Sequence, residues 1–520
     1  MNHLPFMSAV TILAVGRTDA ALFVLSLAAA SLRPRTGGNA TQPPPCCKRW
    51  NPGAAIRDLP RGLFLGLCCL AVSGFVGVAS QDQPEPNSST AAPDGKPWFD
   101  ARLRAFFSAK AAQAHELADR AQQPVATDAW AYFEAGSKGD WKTTTNLWAA
   151  MRRRTHRDQG NEAGASLDAV WPVILETDLA WQEFANWQEK HVLAYGRDII
   201  ESIPPGSIYF GGTDPGRGVI TALSESHAEG KPFFTITQNA LADSAYLDYL
   251  RAMYGKIIYT PTSEDSKACF GDYKADAQHR LAEKRLKPGE NVRMIRGTLE
   301  VGGQVAVMSI NGLLVKTIFE HNPDRQFYIE ESIPLDWMYP YLTPSGPIMK
   351  INRQPLLRLS DDVVQQDHAY WSHYLRPLIG DWLQADTTIA DITAFVEKVY
   401  LKRNLDGFTG DPQFIEDRWA QRAFSKLRAS IGGIYAWRFT DAKTPREKQR
   451  MKKEAEFAFS QAFVLCPSSP EGFYRYVNFL VSVDCVEDAR LLAESGLKLD
   501  TQGDSSKTLP GQSGDPIPKN

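Results

Sequence analysis

The chain predicts an α/β domain with a mainly parallel, three-layer sheet, flanked by helical regions and followed by paired α-helices. Three observations carry this reading. Between residues 203 and 356, short apolar runs of strand type alternate with helical stretches, the pattern of a parallel sheet covered on both faces. On either side, apolar residues recur at helical spacing. Near the C-terminus, positions repeat every 34 residues.

At 520 residues the chain has room for two or three domains. Hydrophobic residues make up 43% and charged residues 22%, so most of it can form a core. The net charge of −3 argues against a nucleic-acid partner, which calls for a basic excess. Seven cysteines occur, with no CxxC among them, which excludes zinc-ribbon and thioredoxin-type signatures. Downstream of residue 80 only Cys269, Cys466 and Cys485 remain. Buried free thiols are expected there, with a Cys466–Cys485 bond as the alternative.

Residues 1–61 form a basic N-terminal region, with Arg17, Arg33, Arg35, Lys48, Arg49, Arg57 and Arg61 against Asp19 and Asp58. Either it is weakly membrane-associated, through the apolar stretch Ala20–Leu32, or the natural chain begins nearer Arg57. Residues Gly62–Ala79 follow without a charge, and Val78-Ala79-Ser80 offers the small residues of a cleavage site. Residues 62–80 thus read as a signal peptide or as a membrane anchor. The basic flank places the rest of the chain outside the cytoplasm, periplasmic or secreted. Residues 81–97 are a polar linker.

Residues 98–202 read as helical. Phe99, Leu103, Phe106 and Phe107 share a face, Gly139-Asp140-Trp141 marks a helix-hairpin turn, and Leu179–Ser202 forms one long helix stopped at Pro204-Pro205-Gly206. In the α/β domain, 203–356, strands are expected at Ser207–Phe210, Pro232–Thr237, Lys256–Thr260, Phe327–Glu330 and Pro347–Ile351. Helices are expected after the first two strands and over Ser263–Lys287. Residues 357–500 return to helix. There Ala455 and Ala489, Phe463 and Leu497, and Leu465 and Leu499 are each 34 apart, with Pro467 just past a helix end. A 34-residue period with small residues at the helix crossing is the TPR pattern, which implies a protein partner. Residues 501–520 read as a disordered tail.

Candidate site residues lie where loops follow strands, because the carboxyl ends of parallel strands form the ligand crevice of an open sheet. After the first strand comes Gly211–Gly218, GGTDPGRG. It approaches a P-loop but has Arg217 in place of Lys and Gly218 in place of the magnesium-binding Ser or Thr, which argues against nucleotide hydrolysis. Thr213, Asp214 and Arg217 of this loop, Gln238 and Asn239 after the second strand, and Glu330 after the FYI strand are the ligand-binding candidates. Asp214 suits hydroxyl groups, and Arg217 suits an anion or Asp214 itself. The competing reading makes the loop a tight turn and Asn239 a helix cap. Glu330 and Glu331 should point to opposite faces and so are not an acid–base pair. His368 and His373 are spaced poorly for a shared site, and neither HExxH nor GxSxG occurs. No cofactor and no metal are expected, and no residue is assigned a catalytic role.

The motif order from 199 to 356 resembles the soluble C-terminal region of a bacterial integral-membrane family of uncharacterised function, related to protein O-mannosyltransferases. SIYFGGTDPGR resembles that family's strand and Gly/Asp-rich loop, and FFTITQNALADSAYLDYL its Asn-containing turn and Tyr-containing helix. Arg325–Ile329, Gly346–Pro355 and the helical repeats fall in the same order. The family carries its sugar-transfer chemistry in a multi-spanning membrane half that this chain lacks. The resemblance therefore implies an accessory domain without the catalytic half. The expected function is an extracytoplasmic binding or assembly module, with a protein partner on the TPR-like helices and a glycan or anionic small ligand in the α/β crevice. The alternative is an enzyme of glycan transfer using the same crevice.

Overall fold

A computed structural model describes residues 97–122, 124–157, 167–224, 230–287, 289–295, 297–331 and 337–505. The basic region, the apolar segment 62–79, the linker up to residue 96 and residues 506–520 lie outside the described residues. Among the described residues no helix is long and apolar enough to cross a membrane.

The described residues open with α1 (Pro97–Ala121), α2 (Thr127–Lys138) and α3 (Trp141–Arg157). Gly139, in the left-handed region at φ 77°, closes α2 where the sequence marks a turn. The expected long helix over 179–202 is instead two, α4 (Trp171–Asn186) and α5 (Glu189–Glu201). The break has a distant cause. The Gln188 backbone N–H donates to Asp417 Oδ2 at 2.8 Å, and His191 Nδ1 lies 2.8 Å from the same oxygen. Lys110 of α1 is buried, bonded to Glu176 Oε2 (2.5 Å), Gln113 Oε1 (3.0 Å) and the Tyr249 hydroxyl (2.8 Å). That network pins α1 to α4.

Next come β1 (Ile208–Gly211), α6 (Asp214–Leu223), β2 (Phe234–Thr237), a 3-10 turn (Gln238–Ala240), α7 (Ser244–Tyr254) and α8 (Ser263–Ala282). A hairpin of β3 (Asn291–Ile295) and β4 (Thr298–Gly302) precedes α9 (Gln304–His321) and β5 (Phe327–Ile329). The sheet ends with β6 (Leu342–Ser345) and β7 (Ile348–Ile351). Its strand order is β2-β1-β5-β7-β6. Only β1–β2 and β1–β5 are parallel; β5–β7 and β6–β7 are antiparallel. The sheet is therefore mixed, not mainly parallel. The β6–β7 reversal follows from Gly346-Pro347, a two-residue connection with Gly346 at φ 61°, the conformation a tight hairpin requires.

The expected strand Lys256–Thr260 does not form. Ile257 and Ile258 turn back onto the Tyr254 carbonyl, and the Asn322 side chain bonds both N–H and C=O of Tyr259, at 2.8 and 3.1 Å. A side-chain amide thus replaces the neighbouring strand. Strands β3 and β4, which no sequence signal marked, enclose a separate small core of Tyr273, Ala277, Val292, Leu299 and Ala306.

The C-terminal part contains α10 (Asp361–Ile379), α11 (Ile389–Val396), a short α12 (Pro412–Glu416), and four successive helices. These are α13 (Arg418–Asp441), α14 (Pro445–Leu465), α15 (Pro470–Ser482) and α16 (Val486–Ser505). Asp417 and Thr444 cap α13 and α14, with Pro445 in the first turn of α14. The last helix runs past the expected end at residue 500. Arg438 of α13 donates to the carbonyls of Leu356 (2.5 Å) and Pro340 (2.9 Å), tying this part to the sheet. One continuous apolar core runs through both parts. Cys269, Cys466 and Cys485 are free thiols, the last partly exposed.

Candidate functional site at the carboxyl edge of the sheet

Strands β1, β2 and β5 run parallel, so the segments that follow them leave at one edge. There the loop after β1 enters α6. Thr213 is the N-cap, its hydroxyl accepting from the Gly216 N–H at 3.0 Å. Glu330, the residue after β5, is buried against this helix start. Its carboxylate accepts from the Gly212 N–H (3.0 Å), the Thr213 N–H (3.1 Å), the Thr213 hydroxyl and the Tyr195 hydroxyl (2.8 Å). A Cβ on Gly216 would come within 1.6 Å of Glu330 Oε2, so glycine is what lets the carboxylate sit there. Burial, with Glu330 alongside, pushes the Tyr195 hydroxyl well above its ordinary pKa and keeps it a donor.

The other candidates gather beside this contact. Asn239 Nδ2 donates to the Gly212 carbonyl at 2.6 Å. Asn239 lies within the 3-10 turn and caps no helix; Asp243 caps α7. Arg217 Nη2 pairs with Asp214 Oδ1 at 2.9 Å, with Asp214 about half exposed at 48%. Gln238 is fully buried. Its Oε1 and Nε2, together with Asn239 Oδ1 and Arg217 Nε, are buried without a hydrogen-bond partner. Buried polar atoms are ordinarily satisfied, so such atoms call for water or a ligand.

Residues that carried no sequence signal complete the surroundings. Tyr195 comes from α5, and Asn311 of α9 holds the Asn239 carbonyl at 2.9 Å and the Ala242 N–H at 2.6 Å. From α4 come Asp178 and Glu183, both buried. Burial first, and then Asp214, push the Glu183 carboxyl up to about 8, despite a bond from Trp187 Nε1 at 2.7 Å. Asp178 is likewise raised well above the carboxylate range by burial. Among the described residues no group of three or more His, Cys, Asp or Glu could hold a metal ion.

Glu331 turns away from Glu330 to a different corner. Burial, then Glu471, push its carboxyl up to about 8, while Lys426 and Arg475 overcome burial to draw Glu471 down to about 2. Lys426 Nζ lies 3.2 Å from Glu471.

Glu183 gives a pH prediction. Its unfolded carboxyl loses its proton near 4.5 and its folded one near 8. Between these values the folded chain binds more protons, so stability falls as pH rises from about 4.5 to 8. Glu183→Gln should remove up to about 1.4 kcal/mol per pH unit of that slope; Asp178 and Glu331, raised likewise, maintain a remainder. Denaturant midpoints across this range that stay parallel in the two proteins would refute it.

Compared with known proteins, the chain matches no family model, no curated protein and no solved structure.

Proposed function

We propose that the chain is an extracytoplasmic binding or assembly module whose ligand site is the carboxyl edge of β1, β2 and β5. The observation that carries the reading is the set of unpartnered buried atoms on Arg217, Gln238 and Asn239. They offer both donors and acceptors beside a loop already fixed by Glu330. A polyhydroxylated ligand presents both kinds of partner at every hydroxyl. The resemblance to the soluble region of a membrane family related to O-mannosyltransferases points to the same ligand class. In this reading residues 62–79 deliver the chain across a membrane or hold it there.

A protein partner is assigned to α13–α16, read as two TPR-like hairpins. Support comes from the 34-residue register: Ala455 and Ala489 are both buried, in α14 and α16 respectively. Gly496 keeps the register of Ala462, and a Cβ on it would meet the Phe473 ring at 2.7 Å.

The test is a screen of the full chain against neutral oligosaccharides, nucleotide-sugars and lipid-linked sugars, read by calorimetry and by product analysis. Saturable binding without turnover is expected, with Asn239→Ala and Arg217→Gln weakening it at least tenfold. Turnover would make the chain a glycan-transfer enzyme. Binding that both variants leave intact would move the site elsewhere.

A further inference from the structure

We infer that Glu330 is a built-in occupant of the α6 N-terminus, and that it restricts the neighbouring site to neutral hydroxylated ligands and closes it to phosphate. The inference rests on the binding reading above and narrows its ligand class.

A helix start that follows a glycine-rich turn after a strand is an anion site, because free N–H groups and the helix dipole converge there. Here that cradle already holds a negative charge. Two backbone N–H groups and two hydroxyls converge on the Glu330 carboxylate. The missing Cβ of Gly216 leaves room for a carboxylate oxygen against the first turn of the helix, where a phosphate oxygen would otherwise lie. A phosphate would have to displace a buried carboxylate that has no other described hydrogen-bond partners.

The surroundings add to the exclusion. The Arg217 guanidinium is already paired with Asp214, so its charge is balanced before any dianion arrives. What remains without a partner is the polar but uncharged amide of Gln238, fully buried, and Asn239 Oδ1. Primary amides match sugar hydroxyls, which donate and accept in the same way. The anion position at this helix start is thus filled from within.

The experiment follows the melting temperature of the full chain in inorganic phosphate and in formate, against chloride at matched ionic strength, with a neutral oligosaccharide titrated in parallel. The wild-type protein is expected to show no saturable shift with either anion. Glu330→Ala should melt lower and then regain several degrees, saturably, with formate or phosphate, because the emptied cradle accepts the anion. If this variant folds only when formate is present during refolding, that recovery is the same result. Wild-type binding of phosphate that Arg217→Gln abolishes would overturn the inference. So would a folded Glu330→Ala variant that ignores both anions. If no folded variant is obtained under either condition, the wild-type phosphate titration decides alone. Absence of oligosaccharide binding, with the anion results as expected, would sink the binding reading and leave the role of Glu330 standing.

Discussion

Asp367→Ala is expected to destabilise the folded chain by about 3–5 kcal/mol, the cost of leaving a buried charge without its partner. Asp367 and Arg428 are both fully buried side chains, joined by two bonds of 2.9 Å from Nη1. The Tyr435 hydroxyl donates to Asp367 at 2.8 Å, Gln461 accepts from Arg428 Nε at 2.7 Å, and the Trp371 ring lies 5.1 Å from the guanidinium. The network joins α10, α13 and α14, so its loss should loosen the whole C-terminal part. Replacing both partners with apolar residues, Asp367→Leu with Arg428→Met, should cost less than the single change, because no orphaned charge remains. Urea unfolding of the three variants measures this. A single variant within about 1 kcal/mol of wild type would show that water reaches Arg428.

Gly216→Ala should cost about 3–5 kcal/mol, combining overpacking with the loss of charge-assisted hydrogen bonds to Glu330. The added methyl and the Glu330 carboxylate cannot occupy the same space. The carboxylate must leave its backbone donors or the first turn of α6 must unwind. A double-mutant cycle with Glu330→Ala isolates the effect: in that background the Gly216 substitution should be nearly neutral. Equal costs in both backgrounds would mean the strain comes from elsewhere.

Much of the helical architecture was legible in local pattern. Gly139-Asp140-Trp141 is a turn, a helix follows the first strand, and the C-terminal part is helical. Two of the errors share a cause, which is partners far away in sequence. Leu179–Ser202 is continuous by periodicity, yet it breaks where Asp417 captures the Gln188 N–H, 229 residues on. Lys256–Thr260 has strand composition, but Asn322 takes up its backbone. Gly346-Pro347 did carry a hairpin signal, and reading it would have shown one antiparallel pair in the sheet. At the site, the topology of parallel strands brought Thr213, Asn239 and Glu330 to one edge. That Glu330 would turn inward to the loop could not be read, because Tyr195 lies 135 positions away.

The small core between α8, the β3–β4 hairpin and α9 has a consequence for how the molecule breathes. Among the described residues it buries five side chains of its own, and β3 leaves Met294 and Ile295 exposed. Opening it uncovers far less apolar surface than opening the main core. Cooperative units open at free energies set by the surface they bury. The β3–β4 hairpin is therefore expected to open as a unit of its own while β1 and β5 stay closed. Its backbone amides should exchange with solvent ahead of those at the sheet edge that holds Glu330.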